Sequence, residues 1–182
     1  PNEVQSWLIR AQLEREQDPL AAVSDVEQAL QREPNSITAR MLQALIAADL
    51  GEFDRALILA RELEQLAPRA PDPWLVRGMV AMRLNDMPGA LQAVDRALEL
   101  DERNPFGRGM RMEIRAVLGD LTGAIDDAEE ALRVRPGNFV VLNNSAQILE
   151  QLGRLEEAEA RYTRCLEIVQ KDPLVLNNRG NL

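Results

Sequence analysis

The 182-residue chain contains no histidine and a single cysteine, Cys165. Without histidine, the chain cannot assemble a Ser-His-Asp or Cys-His nucleophile system or a zinc site with histidine ligands. A single cysteine also excludes an internal disulfide bond and a metal site built from several cysteines. The most familiar routes to nucleophilic and zinc-dependent catalysis are therefore closed to this chain on its own.

The chain also has fewer basic than acidic residues, few aromatic residues and no long apolar run. The chain has 21 basic and 30 acidic residues, a formal net charge of -9, and only 3% aromatic residues. The acidic balance argues against nucleic-acid binding, whose affinity depends on neutralising phosphates, and no apolar run approaches the roughly 18 residues of a membrane span. Twenty of the basic residues are arginine and one is Lys171. We attribute this bias to a GC-rich bacterial genome, and the choice between cytoplasm and periplasm stays open.

A repeat of 34 residues organises the chain. The segment 141–146, Val-Leu-Asn-Asn-Ser-Ala, recurs at 175–180 as Val-Leu-Asn-Asn-Arg-Gly. The same offset divides the chain without gaps into repeats 3–36, 37–70, 71–104, 105–138 and 139–172, followed by the start of a sixth at 173–182. We interpret residues 1–182 as one array. Because it opens without methionine and stops inside the sixth repeat, we expect an excerpt of a longer protein.

Each repeat has the pattern of two helices joined by a tight turn. Position 15 holds Gly51, Gly119 or Gly153 in three repeats, and glycine tolerates the left-handed conformation that ends a helix. Position 16 then supplies an acidic residue such as Asp120, which suits the start of the next helix. Position 20 is alanine in all five repeats, which lets the two helices approach closely. The sequence therefore predicts an all-α fold of antiparallel helix pairs.

The pattern resembles the tetratricopeptide repeat, a 34-residue unit with small residues at positions 8, 20 and 27 and proline at position 32. Repeat three is nearest to it, with Trp74, Gly78, Ala90 and Ala97 in the expected places. The resemblance implies a right-handed superhelical solenoid whose first helices line a concave groove. It also implies a non-enzymatic scaffold that binds a partner peptide or helix in that groove, without a cofactor.

The positions that face the groove in this family are apolar in the first four repeats and rich in amides afterwards. The resemblance implies a partner-binding groove formed by Trp7, Leu8, Met41, Leu42, Leu45, Leu75, Val76, Met79, Met82, Phe106, Met110, Asn143, Asn144, Gln147 and Asn178. Methionine-rich grooves suit amphipathic helices, and an amide can pair with both polar groups of an extended backbone. Two alternatives stay open for the apolar stripe: packing between repeats, or cover by a second copy or another part of the parent protein. For the amides, the simpler interpretation is solvated polar side chains on a helix face.

Four arginines along the first helix of repeat four form a basic cluster, Arg103, Arg108, Arg111 and Arg115. An anionic partner segment could bind there, because arginine pairs with carboxylates. Neutralisation by acidic neighbours such as Asp126 and Asp127 is the simpler interpretation.

The acidic run at 126–130 predicts a solvated face. Consecutive helical residues point apart, so Asp126, Asp127, Glu129 and Glu130 should not converge on a metal ion. Cys165 lies at the small position 27, where we expect an inert packing residue. The sequence therefore predicts no catalytic residue, metal or cofactor.

Our leading hypothesis is a scaffold that presents its groove to a protein segment. Two alternatives belong to other classes: a self-associating or spacer element of a bacterial export or envelope assembly, which would make a homo-oligomer, and a substrate-recruiting arm of a larger enzyme.

Overall fold

A computed structural model describes residues 3–15, 17–169, 175 and 178. These residues contain α-helices and no β-strand, which confirms the all-α prediction. The helices are α1 (Glu3–Glu14), α2 (Pro19–Arg32), α3 (Ile37–Asp49), α4 (Phe53–Leu66), α5 (Asp72–Arg83), α6 (Met87–Leu100), α7 (Pro105–Leu118), α8 (Leu121–Val134), α9 (Phe139–Gln151) and α10 (Leu155–Ile168).

The turn inside each helix pair uses the residues that the repeat pattern indicated. Gly51, Gly119 and Gly153 have φ angles of 78°, 87° and 73°, and Asn85 occupies the same repeat position with φ 59°. These left-handed residues end the first helices, because glycine and asparagine reach this conformation most easily. At the start of α8, the carboxylate of Asp120 accepts a hydrogen bond from the backbone N–H of Gly123 at 3.0 Å. It thereby satisfies one of the N–H groups that a helix start leaves unpaired.

The helices form two compact units, residues 1–100 and 101–182. In the first unit, α1 to α6 form three antiparallel pairs, and each second helix packs against the first helix of the next pair. The first helices also contact one another, α1 with α3 and α3 with α5. The described part of the second unit repeats this arrangement with α7 and α8 followed by α9 and α10, and α7 contacts α9. Most of the predicted sixth repeat lies outside the described residues.

Alanine at position 20 occupies the contact within every helix pair. Ala22, Ala56, Ala90, Ala124 and Ala158 have no exposed surface. Larger side chains complete the core around them, among them Met112, Leu142, Leu149 and Tyr162 in the second unit. Cys165 is also fully buried in that cluster, at the packing position that the sequence indicated.

The acidic run of α8 is not uniformly solvated. Asp126 and Glu129 are exposed, whereas Asp127 is completely buried. The prediction of a solvated acidic face is therefore wrong for Asp127. The reason is its repeat position, 23, which turns the side chain toward the first helix of its own pair. Asp25 holds the same position in the first repeat, where it is also buried and is paired with Arg10 of α1.

Three arginines of α7 surround the Asp127 carboxylate. Arg108 donates to it at 2.8 Å, Arg111 donates twice at 2.7 and 2.8 Å, and Arg115 donates at 2.8 Å. Burial alone would raise the pKa of Asp127, but the hydrogen bonds from Arg111 and Arg108, together with the charges of Arg111 and Arg115, bring it below its ordinary value. The carboxylate thus stays ionised and holds α8 against α7.

Removing this one negative charge should destabilise the protein strongly. We expect Asp127→Asn to lower the free energy of unfolding by about 3 kcal/mol at pH 7, since it leaves partly buried arginines without their partner. A carboxylate with a lowered pKa contributes its stability above its unfolded pKa and loses it as pH falls through the lower, folded value. Urea unfolding should therefore show the difference between the two proteins shrinking below pH 3.8, the ordinary value for this group.

Asp126→Asn is the matched control, because it makes the same chemical change at the exposed neighbouring residue. We expect that variant to stay within about 0.5 kcal/mol of the parent protein. Equal losses in both variants would contradict a specific role for the buried carboxylate.

Candidate partner-binding surface

The predicted groove positions are positions 2, 5, 6, 9, 12 and 13 of each repeat, on or directly after the first helix of each pair. We call these residues the first-helix surface of a unit. In the first unit they belong to the repeats of α1, α3 and α5, and in the second unit to those of α7 and α9. In the first unit, a row of charges shows that equivalent repeat positions lie beside one another. The carboxylate of Asp49 lies 3.5 Å from Arg15 Nε and 3.1 Å from an Arg83 guanidinium nitrogen. All three residues hold position 13, at or directly after the ends of α1, α3 and α5, so equivalent positions of the first three repeats are neighbours. Their alternating charges at 34-residue spacing were the sequence signal for this row.

In the first unit, three of the predicted binding residues are buried. Leu42 and Leu75 are 4% and 5% exposed, and Val76 is 1% exposed. Leu42 packs in a cluster with Ala11, Val26 and Ile46, while Val76 packs in a cluster with Ala44, Ala60 and Leu63. For these three side chains, burial favours the alternative of packing between repeats.

The other predicted residues of the first unit keep part of their surface exposed: Trp7, Leu8, Met41, Leu45, Met79 and Met82. Trp7 rests against the small cluster of Val4, Ala29 and Ala39. Met41 and Leu45 lie one turn apart on α3 and pack against the Val76 cluster. These side chains therefore combine a buried base with an accessible edge, which is the arrangement that a hydrophobic contact surface requires.

In the second unit, the predicted residues divide in the same way. Phe106 is 49% exposed, Gln147 is exposed, and Asn144 and Asn178 are half-buried. Met110 and Asn143 are each only 6% exposed. Two further exposed apolar residues at groove positions, Val117 and Val140, were not among the predicted binding residues. The sequence could have identified both, because each is an apolar residue at a predicted groove position.

Amides and a carboxylate connect α7 with α9. The Asn144 side-chain N–H2 donates to the Glu113 carboxylate at 2.9 Å. The Asn143 N–H2 donates to the Asn144 side-chain oxygen at 3.4 Å, while the Asn143 oxygen is buried without a hydrogen-bond partner among the described residues. Burial raises the pKa of Glu113, and the hydrogen bond from Asn144 offsets part of that rise.

The arginine cluster of repeat four is occupied by internal ion pairs. Arg108, Arg111 and Arg115 bind Asp127, and Arg108 and Arg115 have second carboxylate neighbours in Glu102 and Asp120 at 3.9 and 3.6 Å. Arg103 is exposed and lines a cleft together with Arg108 and Arg115. Neutralisation by acidic neighbours is thus the better interpretation for the three paired arginines. Among residues 3–15 and 17–169, with 175 and 178, no group of acidic or cysteine side chains could hold a metal ion.

Within the described residues, every helix is too short or too polar to cross a membrane. On the two first-helix surfaces, the groups that a partner could contact are partly exposed apolar side chains, side-chain amides and carboxylates.

Comparison with known proteins agrees with this architecture. Family models described as tetratricopeptide repeat match residues 8–71, 59–105 and 118–181. A curated relative, the human protein O-mannosyl-transferase TMTC3, is 25% identical over 151 residues, which is 82% of this chain and 16% of that protein. The chain therefore spans about a sixth of the length of this relative.

Two solved structures have the same fold. The thermophilic tetratricopeptide protein TTC0263 of Thermus thermophilus superposes with a TM-score of 0.84 at 23% identity, covering 98% of this chain and 97% of that one. YrrB, described as a tetratricopeptide protein with an unusual peptide-binding site, superposes with a TM-score of 0.67 at 18% identity, covering 96% of this chain and 90% of that one. One family model alone matches residues 8–105 in two overlapping segments, more than half of the sequence. The chain belongs to the tetratricopeptide repeat family.

Proposed function

We propose that this chain is a protein-interaction scaffold whose first-helix surfaces bind a segment of a partner protein. The observation that carries the proposal is the set of partly exposed apolar side chains on these surfaces, chiefly Trp7, Met41, Met79 and Phe106. Each is anchored in a structured helix and keeps an accessible edge. The peptide-binding site named for YrrB, a protein of the same fold, supports the same use of the repeats.

The two units offer different chemistry to a partner. In the first unit, Trp7 on α1 is joined by partly exposed methionine and leucine side chains on α3 and α5, and flexible thioether side chains can adapt to the apolar face of a helix. In the second unit, Asn143, Asn144 and Gln147 add polar groups beside exposed Phe106 and Val140. Among these amides, the exposed side chain of Gln147 can hold the backbone of an extended segment. We therefore expect apolar side chains to dominate recognition in the first unit and hydrogen bonds to matter more in the second.

The proposed role is non-catalytic. The one transferase among the relatives named above shares only 16% of its length with this chain. A recruiting arm of a larger enzyme would use the same surfaces for binding, so it differs from the main proposal in what the rest of the parent protein does.

Peptide selection followed by substitution tests the proposal. Random 12-residue peptides displayed on phage are selected against the chain, and the affinities of synthetic copies are measured by fluorescence anisotropy. For peptides that bind the first unit, we expect Trp7→Ala and Met41→Glu each to lower the affinity by about tenfold or more. Central aromatic and apolar contacts of an interface have effects of this size. Circular dichroism should show unchanged helical content in both variants.

Ile58→Glu is the matched control, since Ile58 is 56% exposed on α4, a second helix. We expect it to leave peptide affinity within about twofold of the parent protein. Unaltered affinity in both Trp7→Ala and Met41→Glu would contradict the assignment of the surface. Light scattering provides a separate check, because a dimer that Met41→Glu abolishes would show that the surface serves self-association.

A further inference from the structure

Three of the six methionines lie on the first-helix surface of the first unit: Met41, Met79 and Met82. We propose that oxidation of these thioethers to sulfoxides by a hydroperoxide is a modification that releases the bound partner segment. This inference rests on the proposed function and adds a means of regulating that surface. It concerns only α3 and α5 of the first unit.

The structure brings the three methionines onto one patch. Met79 and Met82 lie three residues apart on α5, which places them on the same side of that helix. Met41 of α3 packs against the cluster that contains Val76 of α5, and Val76 lies three residues before Met79. The helices α3 and α5 also contact each other directly. A partner segment that covers one of these thioethers therefore covers or borders the other two.

Burial separates these methionines from those of the second unit. Met41, Met79 and Met82 each keep part of their surface exposed, whereas Met110 and Met112 are 6% and 0% exposed. Oxidation requires contact between the oxidant and the side chain, so it follows exposure. A peroxide dissolved in water thus has access to the first-helix surface of the first unit and little access to the core methionines.

The modification is a two-electron oxygen transfer. A lone pair of the thioether sulfur attacks the terminal oxygen of the hydroperoxide, and the O–O bond breaks as the S–O bond forms. The sulfur is oxidised to a sulfoxide, while the peroxide is reduced to water or to the corresponding alcohol. The proton of the transferred hydroxyl moves to the departing oxygen, so no further reactant is needed. Methionine sulfoxide reductases reverse the change.

A sulfoxide makes the surface unsuitable for an apolar segment. It replaces a flexible apolar thioether by a polar group that accepts hydrogen bonds. An apolar partner side chain that covers the new S–O group would remove its water without offering a donor, which costs free energy. Oxidation therefore weakens binding at the side chains that provide hydrophobic contact in the first unit.

Peroxide treatment of the whole chain tests the inference. Sulfoxides are located by mass spectrometry, and the affinity of methionine-free, phage-selected peptides for the first unit is measured by fluorescence anisotropy after the peroxide is removed. We expect Met41, Met79 and Met82 to be oxidised about tenfold faster than Met110 and Met112, or more. Oxidation should weaken binding by about tenfold or more. Treatment with both classes of methionine sulfoxide reductase and dithiothreitol should restore it.

Leucine substitution identifies the responsible sulfur atoms, because leucine keeps the volume and apolar character of methionine. In the triple variant Met41→Leu, Met79→Leu, Met82→Leu, peroxide should change the affinity by less than about twofold, since these positions then have no sulfur to oxidise. The variant keeps buried Cys165, so it also controls for oxidation there. Met87→Leu is the matched control, because Met87 is partly exposed on α6, a second helix. That variant should stay as sensitive to peroxide as the parent protein.

The outcomes distinguish this inference from the proposed function. Full affinity after complete oxidation of the three methionines, or an equal loss of affinity in the triple variant, would overturn the inference and leave the scaffold proposal intact. A loss of helical content on oxidation, measured by circular dichroism, would do the same, because unfolding would then explain the weaker binding. A failure of all selected peptides to bind the parent protein would overturn both.

Protection by a bound peptide is an independent prediction. A segment that lies on the first-helix surface shields the three methionines from solvent, so it should slow their oxidation. At a peptide concentration of ten times its Kd, we expect their oxidation rates to fall about fivefold or more, because roughly nine-tenths of the chain is then occupied. Met87 should keep its rate and serves as the internal reference. Unchanged rates at Met41, Met79 and Met82 would place the peptide elsewhere and overturn the inference.

Discussion

The contact between the two helices of each pair is the constraint on which the remaining structure depends. At position 20 the second helix meets the first through an alanine with no exposed surface in all five repeats. A longer side chain would separate the helices and open voids that a closely packed core does not tolerate. Within each unit, successive first helices contact one another, so equivalent positions come to lie beside one another. The charge row of Arg15, Asp49 and Arg83 is a direct consequence of that regularity.

The same packing turns position 23 toward the first helix of its own pair, so four of its five residues are buried and Leu59 is partly buried. It holds Asp25 and Asp127 in two repeats, Leu59 and Ala93 in two others, and Arg161 in the fifth. The apolar members need no partner. Asp25 binds Arg10, Asp127 binds three arginines, and Arg161 is only 8% exposed and pairs with Glu129. A desolvated charge is costly unless paired, so each charged residue at this position is accompanied by an opposite charge within its own unit.

These two features explain why sequence reasoning succeeded for the helices and failed for Asp127. Helix pairs follow from signals along the chain, such as Gly119 after α7 and Asp120 before α8. The acidic run at 126–130 gives no such signal, because local charge density does not reveal which side of a helix meets its neighbour. The evidence lay in the comparison between repeats, where Leu59 and Ala93 mark position 23 as apolar. The sequence did indicate that acidic neighbours such as Asp126 and Asp127 neutralise the arginines, and the structure shows that Asp127 binds three of them.

The prediction of binding residues from repeat position was limited in a similar way. Repeat position identifies the face of a helix, but the exposed fraction also depends on the size of the neighbours. Position 6 illustrates this: Leu42 and Val76 close the gaps beside Ala44 and the other small residues of their clusters and are buried. Leu8 and Asn144 at the same position keep accessible surface. A column of equivalent residues thus contains both core and contact side chains, and only the packing distinguishes them.

A surface with accessible polar groups can discriminate between partners more sharply than an apolar surface can. An apolar side chain such as Phe106 accepts many hydrophobic side chains at similar free energy. The half-buried carboxylate of Glu113 behaves differently, because a partner without an N–H donor would displace any water that solvates it. That desolvation would count against the wrong partner in addition to the missing attraction. In the proposed function, the apolar residues of the second unit thus supply affinity, while polar groups on the same surface count against partners that leave them unpaired.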